Sequence, residues 1–100
     1  MSRSNDMPNG NGVKIKYTAR FLKSVKKLER GIREKLERQD GLFRQNPFDP
    51  RLNTHKLHGR WKEYWAYSVD YHYRVIFIFE DAKTVMYYDI GPHPIYRKGE

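Results

Sequence analysis

The chain has 100 residues, a formal net charge of +8 and a pI near 9.8, and hydrophobic residues make up 38% of it. This length supports one small domain and excludes a second core. The absence of cysteine excludes disulfides and thiolate chemistry and fits the reducing cytoplasm, and the apolar runs are far shorter than the ~20 residues that cross a bilayer.

The first predicted elements are a short strand and a helix. Residues 1–12 are polar, lack the apolar stretch of a signal peptide, and are expected to form a disordered leader. Val13–Tyr17 alternates apolar and charged residues, which predicts a strand. Thr18 is placed to cap a helix. That helix carries one apolar stripe, formed by Phe21, Leu22, Val25 and Leu28.

A second helix follows directly. Gly31 is expected to end the first helix, and Leu36 and Phe43 keep helical spacing from about Ile32 onwards. Pro47 ends this helix, because proline disfavours helical geometry in the residue before it. The pattern therefore predicts a helical hairpin, followed by a loop over residues 47–59.

The remaining segments predict a three-stranded meander. Trp61–Val69 alternates, which places Trp61, Glu63, Trp65, Tyr67 and Val69 on one face. Tyr73–Phe79 is apolar on both faces apart from Arg74, the pattern of a central strand, and Thr84–Ile90 is the last strand. The predicted fold class is α+β in the order β-α-α-β-β-β, a small and mostly antiparallel sheet packed by the helical hairpin.

The charge is distributed unevenly along this predicted fold. Lys14–Lys62 contains 15 basic and 5 acidic residues, whereas Glu63–Glu100 contains 4 basic and 6 acidic residues. A region with this much positive charge favours a polyanion or a strongly acidic protein as partner. A solubilising surface is the alternative.

The histidines and arginines favour RNA chemistry over metal chemistry. The four histidines (55, 58, 72 and 93) match no common zinc spacing, and the sequence has no Gly-rich phosphate loop or Gly-x-Ser-x-Gly motif, so no metal or cofactor is predicted. RNA cleavage by a 2′-hydroxyl needs only a base, an acid and cations near the phosphate, and histidine and arginine supply these.

Four residues or groups are the candidates for this chemistry. His93 lies between two prolines after the last strand, where it is either a catalytic group or an exposed turn histidine. Arg74 either meets a phosphate or forms an ion pair with a carboxylate of the sheet such as Asp89. Tyr96 is either a C-terminal anchor or a stacking group. The loop entering the sheet is basic and suited to phosphate contact or to solvation, and it contains His55, Lys56, His58, Arg60 and Lys62.

The two tryptophans have two interpretations as well. Trp61 and Trp65 serve either as core residues of the sheet or as platforms on which unpaired RNA bases stack. The core interpretation is favoured, because the sheet needs large apolar groups to pack on its helices.

Five stretches together form a family pattern: Phe21-x3-Val25-x2-Leu28, Asn46-Pro47, His55 to Lys62, Tyr73-Arg-Val-Ile76, and Asp89-Ile-Gly-Pro-His-Pro-Ile-Tyr96. Over roughly Ile15 to Arg97 the chain resembles the RelE/YafQ/ParE superfamily of toxins from bacterial type II toxin–antitoxin systems. The RelE/YafQ-like branch is favoured, because Gly91-x-His93 is similar to the Gly-Thr-His of YafQ-like proteins. The resemblance implies a toxin domain over residues 13–100, and an mRNA endoribonuclease that acts on translated messages on the ribosome in the cytoplasm and is silenced by a cognate acidic antitoxin.

The resemblance also implies roles for individual residues. His93 matches the catalytic histidine of the YafQ branch, and His55 matches the histidine before that branch's Leu-x-Gly. Arg74 and Tyr96 match the strand arginine and the C-terminal aromatic of the RelE branch. His72, in the turn before the central strand, is expected to join the RNA-binding residues.

The sequence departs from the family pattern at three places. Ser68 replaces a strand histidine, His72-Tyr73 replaces Asp-Trp, and Pro92 replaces a threonine. The assignment of base and acid therefore stays open. The alternatives are a ParE-like toxin that inhibits DNA gyrase and a non-catalytic RNA-binding module.

Overall fold

The computed structural model describes residues 12–92 as two helices and a five-stranded mixed sheet, which confirms the predicted α+β class. Two short turns of 3-10 helix, Pro50–Leu52 and Gly59–Trp61, lie between the helices and the meander. The elements are β1 (Lys14–Tyr17), α1 (Ala19–Lys26), α2 (Arg30–Gln45), β2 (His55–Lys56), β3 (Trp65–Ser68), β4 (Tyr73–Asp81) and β5 (Thr84–Pro92).

The strand order in the sheet is β1-β5-β4-β3-β2. The meander β3-β4-β5 is antiparallel as predicted, and β1 pairs with β5 in parallel. The two-residue strand β2 pairs antiparallel with β3 and lies in the segment predicted to be a loop. The central strand is β4, which is paired with a neighbour on both sides.

The start of α1 confirms the predicted cap, whereas the predicted break between the helices is wrong. The Phe21 amide donates to Thr18 Oγ1 at 3.0 Å, and the Thr18 hydroxyl donates to the Tyr88 carbonyl of β5 at 2.6 Å. Helix α1 ends at Lys26 and α2 begins at Arg30, so Gly31 lies inside the first turn of α2. The break falls at Glu29, whose extended backbone (ψ 155°) interrupts the helical path.

The sheet is apolar on both sides. Its helix-facing side packs against α1 and α2 around Phe43, Tyr67, Phe77 and Tyr87, all at most 1% exposed. The opposite side, called here the outer face, has a smaller buried cluster of Leu57, Ala66 and Ile76. No helix of residues 12–92 is long and apolar enough to cross a bilayer.

The predicted alternation from Trp61 to Val69 is wrong in its first half. Strand β3 begins only at Trp65, which packs on the helix-facing side, whereas Trp61 ends a 3-10 turn and packs on the outer face. The tight turn Gly59–Trp61 interrupts the alternation, so the two tryptophans lie on opposite sides of the sheet.

A buried chain of hydroxyl groups ties α2 to the helix-facing side of the sheet. Tyr67 donates to Tyr87 (3.0 Å), and Tyr87 donates to Asp40 of α2 (2.7 Å). Arg44 donates to the other carboxylate oxygen of Asp40 at 2.8 Å. Burial raises the pKa of both phenols, so they stay neutral donors that fix the helix on the sheet.

Candidate functional site

Arg74 lies near the start of the central strand, between Ser68 of β3 and Gly91 of β5. Its Nη1 donates to the carbonyl oxygens of Asp70 (2.9 Å), Tyr71 (3.2 Å) and Tyr73 (3.2 Å). Its Nε is buried and has no partner among the described residues. No described carboxylate forms an ion pair with this guanidinium, so its positive charge is available to an incoming anion.

The expected alternative of an Arg74–Asp89 ion pair is wrong. Asp89 Oδ1 accepts from the Ser24 hydroxyl at 2.6 Å and from the Ile90 amide at 2.8 Å. Its Oδ2 lies 3.9 Å from Arg20 of α1. Asp89 therefore belongs to the contact between α1 and β5, and the structural role of Arg74 is to hold the carbonyls of the neighbouring turn.

The β3–β4 turn (residues 69–72) presents His72 to solvent. Asp70 Oδ1 accepts from the amides of His72 (2.9 Å) and Tyr73 (2.8 Å), and Lys35 lies 3.5 Å from Oδ2. Burial opposes ionisation of Asp70, but these amides and the lysine outweigh it and hold the pKa of Asp70 below its ordinary value. The His72 ring is exposed, and its centroid lies 5.0 Å from that of Tyr71.

His55 stands in the edge strand β2 with its ring oriented by the backbone. Its Nδ1 lies 2.9 Å from the carbonyl oxygen of Asn53, a residue in the left-handed region (φ 53°). Because a carbonyl only accepts hydrogen bonds, a neutral His55 carries its proton on Nδ1. In that tautomer Nε2 carries no proton.

The backbone of the basic loop is restrained in its middle, and three of its polar side chains are exposed. Leu57 is 3% exposed in the outer-face cluster, and Gly59 adopts a left-handed conformation (φ 65°) that a side chain would strain. His58, Arg60 and Lys62 are exposed, and no described carboxylate pairs with the two cations.

Lys56 is separated from the other cations of the loop. It pairs in register with Trp65, and its Nζ lies 6.0 Å from the Trp65 ring centroid on the helix-facing side. The predicted RNA-binding group is therefore divided between two sides of the sheet, with Lys56 on the side opposite to His55.

The register places His55 and Arg74 on the same face. His55 pairs with Ala66, Ala66 pairs with Ile76, and Arg74 is two residues from Ile76 along β4. A strand spacing of ~4.8 Å and a rise of ~3.3 Å per residue separate the two residues by about 12 Å at their Cα atoms. The two residues flank a stretch of the outer face on which an RNA backbone can lie.

The described chain ends beside Arg74. Gly91 pairs with Arg74 and Pro92 pairs with Tyr73, so β5 ends at the same end of the sheet as Arg74. His93 and Tyr96 follow outside the described residues, and their roles stay predictions. Within residues 12–92 no group of three or more His, Cys, Asp or Glu side chains is arranged to hold a metal ion.

The sequence analysis missed two residues of the outer face, Arg20 and Tyr88. The Arg20 guanidinium lies 5.4 Å from the centroid of the Tyr88 ring, which in turn contacts Trp61 and Tyr64. Tyr88 is the extra residue of a β-bulge, because Tyr87 and Asp89 pair with the consecutive residues Phe77 and Ile76. A bulge interrupts the alternation, so no periodicity in the sequence would have placed Tyr88 on this face.

The sequence matches no family model and no curated protein. Solved structures do match. YafQ from E. coli is 25% identical with a TM-score of 0.67, and the match covers 81% of this chain and 93% of YafQ. The YafQ of an E. coli DinJ–YafQ toxin–antitoxin complex is 24% identical, with a TM-score of 0.66 over 82% of this chain and 93% of that chain. The archaeal RelE–RelB complex from Pyrococcus horikoshii shows the same fold at 15% identity, with a TM-score of 0.66 over 84% of this chain and 98% of its own. The chain therefore shares the fold of the YafQ and RelE toxins.

Proposed function

We propose that this chain is the toxin of a toxin–antitoxin system and cuts messenger RNA on the ribosome as a metal-independent endoribonuclease. The observation that carries the proposal is Arg74, a guanidinium with no carboxylate partner among residues 12–92. It shares the outer face with His55 and lies beside the strand end that leads to His93. A cation and a histidine on one face of the sheet, together with a second histidine that follows Pro92 in the sequence, are the kinds of group that phosphoryl transfer from a 2′-hydroxyl requires.

The proposed reaction is an internal transesterification. The 2′-oxygen attacks the neighbouring phosphorus, a base takes its proton, and an acid protonates the leaving 5′-oxygen. The products are a 2′,3′-cyclic phosphate and a free 5′-hydroxyl, so atoms and protons balance without water or metal. His55 and His93 divide the base and acid roles, Arg74 stabilises charge on the non-bridging oxygens, and Tyr96 stacks on a base or bridges a proton.

The remaining predicted residues serve to bind RNA. Phosphate contacts fix the position of a nucleic acid without determining its sequence preference. His58, Arg60, Lys62 and His72 are exposed, and we assign this function to them, with Lys56 in a lesser part because it lies on the helix-facing side.

The proposed protein partner is an acidic antitoxin. The segment Lys14–Lys62 carries a net charge of +10, which favours a fast and salt-sensitive encounter with an acidic chain. The matched YafQ and RelE structures include complexes with DinJ and RelB, which supports a partner of this kind. Such a partner would neutralise the cytoplasmic toxin by covering its cationic groups.

Induced expression in bacteria is expected to arrest growth, with primer extension mapping cuts inside translated reading frames of an abundant message. Co-expression of a short acidic protein from the neighbouring frame should restore growth and co-purify with the tagged chain. Intact messages together with a changed ratio of relaxed to supercoiled DNA would instead identify a gyrase-inhibiting toxin. RNA binding with neither effect would identify a non-catalytic module.

Reversing the charge of Lys56, Arg60 and Lys62 together is expected to weaken RNA association without moving the cut positions. Each lost phosphate contact should reduce the slope of log affinity against log salt concentration by about 0.7 for single strands. Because Lys56 lies on the helix-facing side, the Arg60/Lys62 double variant should carry most of the loss, with single Lys56 reversal as its matched control. An unchanged salt slope in the triple variant would place the binding surface elsewhere.

A further inference from the structure

An aromatic cluster covers part of the outer face. Trp61, Tyr64 and Tyr88 are each only partly buried, with ring centroids 5.1, 5.3 and 6.0 Å apart in edge-to-face contacts. They cover the small buried group formed by Leu57, Ala66 and Ile76. A cover for so small an apolar group needs apolar area but does not need three partly exposed rings, each of which carries a polar group.

Cations stand on both sides of this cluster. On one side, Arg20 lies over the Tyr88 ring, its side chain is 61% exposed, and its contact with Asp89 is long (3.9 Å). Arg20, Lys23 and Lys27 also line a hollow of about 450 Å³ along α1. On the other side, Arg60 and Lys62 flank Trp61 in the chain and are exposed, with Glu63 as the next acidic residue.

The indole of Trp61 has an unused polar group. Its Nε1 is buried and has no hydrogen-bond partner among the described residues. The group only donates, and leaving a buried donor unpaired is unfavourable. A base carbonyl or a phosphate oxygen is the kind of acceptor that this donor lacks.

We propose that Trp61, Tyr64 and Tyr88 form a stacking platform for single-stranded RNA that extends the proposed cleavage site along the outer face. Arg20 and Lys23 of α1 and Lys27, which caps the end of that helix, complete the platform. Aromatic faces hold unpaired bases whatever their sequence, and the flanking cations follow the phosphate backbone. Guanidinium groups, as in Arg20, stack on bases as well. The inference rests on the proposed function, since the platform serves to hold the message on either side of the cut.

The two tryptophans, on opposite sides of the sheet, allow a direct test. In W65F only Trp61 emits tryptophan fluorescence, and in W61F only Trp65 does. The probe is a short single-stranded RNA with 2′-O-methyl groups, which blocks attack by the 2′-oxygen and so prevents cleavage. Titration should quench the emission of W65F strongly and change that of W61F far less, because a stacked base quenches the indole it covers. A duplex of the same sequence should quench weakly, because its base faces are hidden.

Affinity measurements test the platform independently. Tyr88→Leu keeps apolar cover and should weaken binding by roughly 5- to 150-fold, the range for loss of one stacked base. Phe48→Leu, at a 53% exposed aromatic that contacts Trp65 and Phe79, is the matched control and should leave affinity unchanged. Arg20→Ala should reduce the salt slope, whereas Arg38→Ala on α2 should not.

The outcomes separate the platform from the nuclease. Absence of quenching in W65F, or equal quenching by single strand and duplex, would overturn the platform. If Tyr88→Leu fails to fold, the fluorescence of W65F and W61F and the salt slope of Arg20→Ala still test the platform. Cleavage of translated messages without Trp61 quenching overturns the platform alone, and quenching without cleavage overturns the nuclease while leaving an RNA-binding surface.

Discussion

Replacing His93 with alanine or glutamine is expected to slow messenger-RNA cleavage by ~10²–10⁴-fold, the usual loss when one general acid or base is removed. The expectation follows from the place where the described chain ends. Gly91 pairs with Arg74, whose guanidinium has no carboxylate partner among residues 12–92, and His93 follows Gly91 by two residues in the sequence. The measurement is the rate of cleavage of a translated message in a reconstituted ribosome assay.

The matched control for His93 is His58→Gln. His58 is exposed in the basic loop and is proposed to contact RNA rather than to transfer protons. Its variant should therefore change the RNA concentration needed for half-maximal rate and leave the rate at saturation near that of the wild type. A His93 variant that cleaves within about threefold of the wild-type rate would remove this histidine from the mechanism.

Sequence patterns predicted the elements with strong periodicity and missed those fixed by tertiary contacts. The central strand, the meander and the Thr18 cap follow from side-chain pattern and were predicted. Strand β2 has only two residues, so its sequence shows no alternation of polar and apolar residues. It forms because it pairs with β3. Gly31 keeps helical geometry inside the first turn of α2, so it does not break the helix. The space where a Cβ at this position would lie is open.

The sequence identified candidate site residues, but it did not predict which groups those residues contact. Arg74 stands out in sequence as the only charge in an apolar strand, but its partners are backbone carbonyls, which no side-chain pattern encodes. Asp89 was the candidate that the sequence suggested as the partner of Arg74. In the structure the Asp89 carboxylate instead contacts Ser24 and Arg20 of α1. The division of the tryptophans between two faces depends on a 3-10 turn, and the place of Tyr88 depends on a bulge.

Replacing Arg74 with alanine is expected to slow cleavage by ~10²–10³-fold, the loss typical of removing one group that stabilises transition-state charge. The same change removes the hydrogen bonds from Nη1 to the carbonyls of Asp70, Tyr71 and Tyr73. Hydrogen bonds to a charged group contribute ~1.5–3 kcal/mol, and partial exposure reduces this, so the free energy of unfolding should fall by about 1–2 kcal/mol. A domain of this size would then melt roughly 4–16 °C lower.

Asp70→Ala is the control that separates catalysis from turn stability. Its carboxylate accepts from the His72 and Tyr73 amides, so alanine loosens the same turn while leaving the Arg74 charge in place. If Arg74 acts on the phosphate, both variants melt early and only Arg74→Ala loses cleavage when assayed below both melting temperatures. If Asp70→Ala loses as much cleavage as Arg74→Ala at an equal loss of stability, the arginine holds the turn and does not touch the phosphate. The cation that stabilises charge on the phosphate in the proposed reaction would then be Arg60, Lys62 or a basic residue of the C-terminal segment.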